Sequence, residues 1–315
     1  MLAGSTMKIL KYLLYLSPII IFMIYDTAIH LEGGELGSKS NPIKFYFTPS
    51  VDADRITTNA RGLIDYLEKE TGYHFVSGVP ASYVAVIEAF GSKKADMAAG
   101  LSAFSYLMAH QKYGATAYLR LVRTGDETTY KGQFIARVGS GINSIEDLQG
   151  KSIAFVDPSS TSGYILPNAL LKRKGIKPSE EVFAMRHENV VTMVYQKQVD
   201  AGATYYAPPN PKTGGIMDAR MRVLPQFPDV ADKIKIIGFT ESIPNDPIIF
   251  SKDMPASMRN KIIKAILDFM NTKEGQHALF EIYDATGLIP TSDSDFDGLR
   301  QILKEQNINL EKMLK

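Results

Sequence analysis

The sequence predicts an α/β fold in two lobes, and three observations carry that expectation. The chain has 315 residues, and a single hydrophobic core stops growing at roughly 250 to 300 residues, so two compact bodies are favoured over one. Short β-like runs alternate with amphipathic helical patterns from residue 43 onward, the grammar of a sheet covered by helices. The same alternation starts afresh near residue 139.

The first series reads as a strand at Ile43–Thr48, a helix at Arg55–Thr71, a strand at Tyr73–Val79, a helix at Ser82–Phe90, a strand at Met97–Gly100 and a helix at Ala103–Tyr113. Ile56, Leu63, Ile64 and Leu67 form one apolar stripe along the first helix and Gly72 follows as its C-cap, so this helix packs on the sheet. In the second series Gly139-Ser-Gly141 is a turn, and Ser144-Ile-Glu-Asp147 resembles an N-cap opening a short helix that Gly150 closes. A strand at Ile153–Val156, a polar loop at Asp157–Ser162, a helix at Tyr164–Lys174, a strand at Glu181–Met185, a helix at Asn189–Gln196 and a strand at Ala201–Thr204 follow. The chain then crosses back through Ile248–Ser251, and helices at Ala256–Asn271, Glu274–Tyr283 and Phe296–Gln306 pad the first lobe. The expected organisation is a leader and linker over residues 1–40, a first lobe from residues 41–137 and 241–315, and a second lobe from residues 138–240.

Hydrophobic residues make up 45% and charged residues 22% of the chain, which excludes a wholly disordered protein. With 35 basic and 34 acidic residues the net charge is +1, so no global field favours nucleic acid and any anion selectivity must be local. The absence of cysteine excludes disulfides, thiolate chemistry, cysteine-bound zinc and a lipoprotein lipid anchor. The five histidines contain no H-x-x-x-H pair, and no EF-hand-type acidic cluster occurs, so neither a metal nor another cofactor is expected. At the N-terminus Lys8 and Lys11 precede an apolar run from Leu13 to Tyr25, an export pattern. That run is short of the roughly 20 residues usual for a spanning helix. Asp26, His30 and Glu32 interrupt every small-x-small cleavage candidate, so an uncleaved anchor is as open as a signal peptide, and Met7 offers a second start.

The most informative segment is Ile153-Ala-Phe-Val-Asp-Pro-Ser-Ser-Thr-Ser-Gly-Tyr164, where a strand runs into four consecutive hydroxyl residues and then a glycine at a helix start. Unpaired N–H groups and the positive end of the macrodipole attract anions at such a place. A merely capped helix in a solvated loop uses the same residues.

At this loop a resemblance becomes specific. Asp157-Pro-Ser-Ser-Thr-Ser-Gly-Tyr-Ile-Leu-Pro167 resembles the D-P-x-S-T-S-G-[YF]-x-x-P signature of the phosphate/phosphite/phosphonate solute-binding proteins of ABC importers. Further similar segments fall in the same order, among them Ser82-Tyr-Val-Ala-Val-Ile-Glu-Ala89, Asn143-Ser-Ile-Glu-Asp-Leu-Gln-Gly150, His187-Glu188, Ile243-Pro-Asn-Asp-Pro-Ile248 and Leu288-Ile-Pro-Thr-Ser-Asp293, so the resemblance covers about residues 43 to 305. It implies a two-lobed periplasmic-binding-protein fold, type II-like, with the ligand cleft between the lobes. The implied role is extracytoplasmic capture of a small anionic ligand for a membrane permease, by a monomer with no nucleic-acid partner and no enzymatic step. The location implied is the periplasm, with or without an N-terminal tether.

Residue by residue, the resemblance places the oxyanion on Ser160, Thr161, Ser162 and His187, where neutral donors bind an anion without stranding a buried positive charge. An imidazole that can protonate would make affinity mildly pH-dependent. Tyr83 and Tyr130 match tyrosines that close over the ligand, Tyr205 joins them, and Asp246 matches an acid that faces the amine of aminoalkylphosphonates. Two positions depart from the pattern: the aromatic wall is replaced by Ala99-Gly-Leu-Ser102, and a second acid by Ala207. The expected ligand is a phosphonate, phosphite or phosphate ester. A larger apolar, lipid-like ligand bound by a tethered sensor is the alternative, if the wall is open rather than refilled by Tyr205 or Tyr206. A Ser160–His187 hydrolase dyad has no orienting third group in the sequence.

Overall fold

The computed structural model describes residues 34–308, so the export or anchor reading of Leu13–Tyr25 lies outside the described residues. Among the described residues no helix is long and apolar enough to cross a membrane.

Two mixed sheets form the framework. The first holds β1 (Ile43–Phe47), β2 (Phe75–Gly78), β3 (Met97–Ala99), β4 (Thr116–Arg123), β10 (Pro247–Phe250) and β11 (Ala285–Pro290), in the order β11-β4-β10-β3-β1-β2. The second holds β5 (Thr129–Arg137), β6 (Ser152–Phe155), β7 (Glu180–Phe183), β8 (Ala201–Tyr206) and β9 (Ile234–Pro244), in the order β7-β6-β8-β5-β9. Each sheet has a parallel trio with its first strand in the middle, then one antiparallel strand, β10 beside β3 and β5 beside β8. Parallel neighbours need a crossover, usually helical, which is why the strand–helix alternation is legible in the sequence.

Both antiparallel strands enter directly after the chain changes sheets, between Arg123 and Thr129 and between Pro244 and Pro247. These crossings differ from the boundaries at 137/138 and 240/241 expected from sequence. All of β5 is hydrogen-bonded to β8 and β9, so residues 129–137 go with the second sheet, as does β9 to its end at Pro244. Buried Asn245 ties the crossings together: its side-chain amide donates to the carbonyls of Leu121 and Glu127, and its N–H to that of Thr128.

Helices cover the sheets: α1 (Ala53–Thr71), α2 (Tyr83–Gly91), α3 (Ala103–Tyr113), α4 (Leu166–Arg173), α5 (His187–Tyr195), α6 (Val230–Lys233), α7 (Ala256–Met270), α8 (Lys273–Tyr283) and α9 (Asp297–Glu305). In α1 the residues Ile56, Ala60, Leu63 and Leu67 are buried at helical spacing, while Asp52 caps the N-terminus and Gly72 closes the helix with φ 72°. The helix starts two residues earlier than its apolar stripe suggests, because Asp52 accepts the N–H groups of Asp54 and Arg55. Phe45, Phe47, Leu63, Ile262, Ile266 and Phe269 form a core on one face of the first sheet; Phe134, Ile153, Phe155 and Leu171 do so on the second. Full burial of each such side chain contributes about 1.5 to 3 kcal/mol.

Candidate functional site

The carboxyl ends of β1, β3, β6 and β8 meet at one cavity between the sheets. Ser50 and Val51 follow β1, Gly100 and Ser102 follow β3, Ser160 and Ser162 follow β6, and Tyr205 ends β8. This is where open parallel sheets bind ligands, because the helix N-termini that follow the strands point there. The cavity is small, about 30 Å³, when a single water needs roughly 10 to 15 Å³ by the same kind of measure.

The hydroxyl loop has an unusual shape with a local cause. Residues Thr161–Ile165 form a wide π-type turn before α4, in which the Ile165 N–H reaches back to the Ser160 carbonyl. Pro167 has no N–H to donate to the Gly163 carbonyl, and that carbonyl instead accepts from the Val156 N–H. Ser160 Oγ caps the turn by accepting the Gly163 N–H at 3.1 Å, while among the described residues no backbone carbonyl takes the N–H groups of Thr161 or Ser162. Ser160 and Ser162 thus bring hydroxyl donors to the cavity, and the two unpaired N–H groups lie on the same turn.

Of the eight residues singled out from sequence, Tyr83, Tyr130, Ser160, Ser162, His187, Tyr205 and Asp246 line the cavity. Thr161 is buried beside it with a different partner: its Oγ1 accepts the N–H of Phe104, at the start of α3 in the first lobe, at 2.8 Å. The same strip of the first lobe reaches the loop again, since Ser102 and Ser105 both donate to the Ser159 carbonyl and the Tyr83 N–H donates to Asp157 Oδ2. The hydroxyl loop is thus both part of the cavity and a seam between the lobes.

Burial and neighbouring charge set the protonation of the site. His187 Nδ1 lies 2.7 Å from Thr204 Oγ1, leaving Nε2 for a ligand. Burial first, then the Arg123 and Arg222 charges, push the His187 pKa down to about 3. These causes favour the neutral imidazole at physiological pH, against the expectation of a donor that protonates. Burial raises Asp246 to about 6 against the opposing pull of Arg123. Burial also raises Tyr83, Tyr130, Tyr205 and Tyr283, with nearby carboxylates adding to it, so all four stay protonated.

Among the cavity residues not singled out from sequence are Arg123, Arg222, Tyr283 and Asp284. Arg222, in the short 3-10 turn Ala219–Val223, pairs with Asp284 at 2.6 Å, both side chains being 3% exposed, and its Nη1 donates to the Glu281 carbonyl at 2.7 Å. The Tyr205 hydroxyl donates to the same carboxylate. Tyr283 answers the question of the missing wall: Gly100 has φ +71°, and a Cβ there would overlap the Tyr283 ring. Beside Gly100 the neighbouring aromatic is Tyr283 at the end of α8, rather than Tyr205 or Tyr206 as the sequence suggested. Ala99 itself packs behind the cavity with Phe45, Phe47 and Tyr283.

Comparison with known proteins agrees with this architecture. Residues 45–296 match the family model described as ABC transporter, phosphonate, periplasmic substrate-binding protein. The chain is 24% identical over 271 residues to the phosphate-import protein PhnD of Mycolicibacterium smegmatis, covering 81% of this chain and 82% of the relative. Among solved structures it is similar to a binding-protein component of an ABC phosphonate transporter from Pseudomonas aeruginosa, with TM-score 0.74, 19% identity and coverage of 84% and 87%. It is also similar to PhnD1 of Prochlorococcus marinus in complex with methylphosphonate, with TM-score 0.69, 16% identity and coverage of 85% and 98%. The fold is the two-lobed, type II-like periplasmic-binding-protein fold, and the chain belongs to the family of periplasmic substrate-binding proteins of ABC phosphonate transporters.

Proposed function

We propose that the protein captures a small phosphorus oxyanion, a phosphonate, phosphite or phosphate ester, in the cleft between its lobes and presents it to the permease of an ABC importer. The observation that carries this reading is the convergence of Ser160, Ser162 and His187 from one lobe with Tyr83 from the other on one small buried cavity. The relatives point the same way, one by its name as a phosphate importer and one by its methylphosphonate complex. The cavity's size supports a compact anion over a large apolar ligand, because Tyr283 occupies the place such a ligand would need.

Binding without chemistry fits the side chains. Ser160 Oγ is engaged as a helix cap, His187 Nδ1 faces a hydroxyl rather than a carboxylate, and the acids of the cavity are paired with arginines, an arrangement that supports binding over a nucleophile–base–acid relay in this cavity. The protein acts in this reading as a monomer in the periplasm, free or tethered by its N-terminal segment, with no nucleic-acid partner.

Calorimetric titration with methylphosphonate, phosphite, phosphate and sulfate tests the proposal. At least one phosphorus oxyanion should bind with micromolar or lower Kd, and Ser162→Ala should weaken it by roughly tenfold, the usual scale for one lost hydrogen bond. Failure of every phosphorus oxyanion to bind would overturn the reading.

A further inference from the structure

Both carboxylates that line the cavity are already matched with a guanidinium of the protein's own. Asp284 is clasped by Arg222. Asp246 receives Arg123 Nη2 at 3.4 Å and the Tyr130 hydroxyl at 3.3 Å. Arg123 is held in place from several sides: Nη1 donates to the Tyr283 carbonyl at 2.8 Å, and the guanidinium lies 5.0 Å from the Tyr130 ring centre and 5.5 Å from that of Tyr205. It is only 5% exposed, yet its Nε and the Tyr283 hydroxyl have no hydrogen-bond partner among the described residues.

A buried carboxylate needs a counter-charge, and a cation needs an acceptor. Here the counter-charge is covalently attached. An incoming ammonium group would have to share Asp246 with Arg123 or displace it, and either way a second cation sits beside the guanidinium in a low-dielectric site, where like charges repel most. Of the two unpartnered groups, Arg123 Nε–H can serve only an acceptor, and the Tyr283 hydroxyl can donate to one as well.

We propose that Arg123 is a specificity-determining residue that takes the place of a ligand's amino group, so that the cleft selects phosphorus oxyanions without a cationic substituent and rejects aminoalkylphosphonates. This rests on reading the cleft as an oxyanion site and deepens it by naming the ligand subclass. The same geometry makes the preference reversible: removing the Arg123 side chain frees Asp246 and opens the space a short aminoalkyl group needs.

The test is calorimetry on the full chain with methylphosphonate and 2-aminoethylphosphonate, for the parent and for Arg123→Ala, Asp246→Asn and the double variant, each checked for a cooperative melt. The parent should bind methylphosphonate at least tenfold more tightly than 2-aminoethylphosphonate. Arg123→Ala should shift that ratio at least tenfold toward the amine, and the double variant should lose the shift. If Arg123→Ala does not fold, Asp246→Asn still decides: equal changes for both ligands fit a carboxylate occupied by Arg123, whereas selective loss of the amine would overturn the proposal. A parent that prefers 2-aminoethylphosphonate, or a folded Arg123→Ala with an unchanged ratio, overturns this inference and leaves the oxyanion reading intact. A parent that binds neither ligand nor any other phosphorus oxyanion overturns both.

Discussion

Replacing Arg222 by methionine should open the cleft. Arg222 belongs to the second lobe and grips the end of α8 in the first, with Nε on Asp284 at 3.0 Å and Nη1 on the Glu281 carbonyl at 2.7 Å. A cation at a helix C-terminus is favourable in itself, and this one also neutralises a carboxylate that is 3% exposed. Removing one partner of a buried ion pair costs about 3 to 5 kcal/mol, because the other charge is left unpaired. Where opening separates this pair, Asp284 regains water and the cost falls on the closed form alone. Divided by about 1.4 kcal/mol per decade, it lowers the closed-to-open ratio by roughly 100- to several-thousand-fold. Apparent affinity falls with the closed fraction, so Arg222→Met should weaken any ligand strongly, and small-angle scattering should show a larger radius of gyration without ligand. Arg222→Met combined with Asp284→Asn should recover part of the closure, since no charge is then stranded. Unchanged affinity and radius in Arg222→Met would refute the idea that this pair holds the lobes together.

Two further outcomes are expected. Thr161→Ala strands the buried Phe104 N–H and should cost the closed form about 1 to 3 kcal/mol, weakening all oxyanions alike, whereas Thr161→Ser keeps the acceptor and should stay near the parent in the same titration. Affinity for sulfate, whose charge is constant above pH 4, should rise as pH falls through about 6, the raised value of Asp246, because protonation removes a negative charge facing the anion; calorimetry in buffers of different ionisation enthalpy should show proton uptake, absent in Asp246→Asn. For folding the signs differ between the two shifted groups. The contribution of Asp246 is complete below its ordinary 3.8 and lost as pH rises through about 6. That of His187 is complete above its ordinary 6.5 and lost as pH falls through about 3.

The repeated strand–helix units were legible because each is closed within a few dozen residues, with the apolar stripe of α1 or the capped turn before α4 visible locally. The strands β4, β5, β9 and β11 were passed over because their partners are distant: Thr129 sits opposite Pro244, and Ala285 opposite Arg123. They also carry the crossings, so the lobe boundaries shifted with them. At the site, the hydroxyl loop announced itself as a contiguous run, whereas Arg222 and Asp284 meet from a 3-10 turn and a helix C-cap 62 positions apart. Arg123 did leave a signal. It continues the alternation of Ala117, Leu119 and Leu121, all buried on one face of β4, and an arginine in step with a buried face needs a counter-ion somewhere in the fold.

The balance of buried charges governs how the cleft can bind and release an anion. Around the cavity two guanidiniums face two carboxylates, and His187 is neutral, so the formal charges cancel before any ligand arrives. An empty site with a net positive charge in a low dielectric would disfavour closure and, once filled, would hold an anion by a large Coulomb attraction that opposes release. A cleft whose attraction comes from hydroxyls, two backbone N–H groups and imidazole avoids both penalties. Closure is then supported by contacts that do not involve the ligand, through Arg222–Asp284, Thr161–Phe104 and Ser102–Ser159. A ligand shifts such an equilibrium only by what it gains in the closed form over the open one. Here that difference consists of the first-lobe contacts, above all Tyr83 and the unpartnered donors of Arg123 and Tyr283. Selectivity should accordingly be set on the first-lobe side of the cleft, while the hydroxyl loop supplies affinity that different oxyanions share.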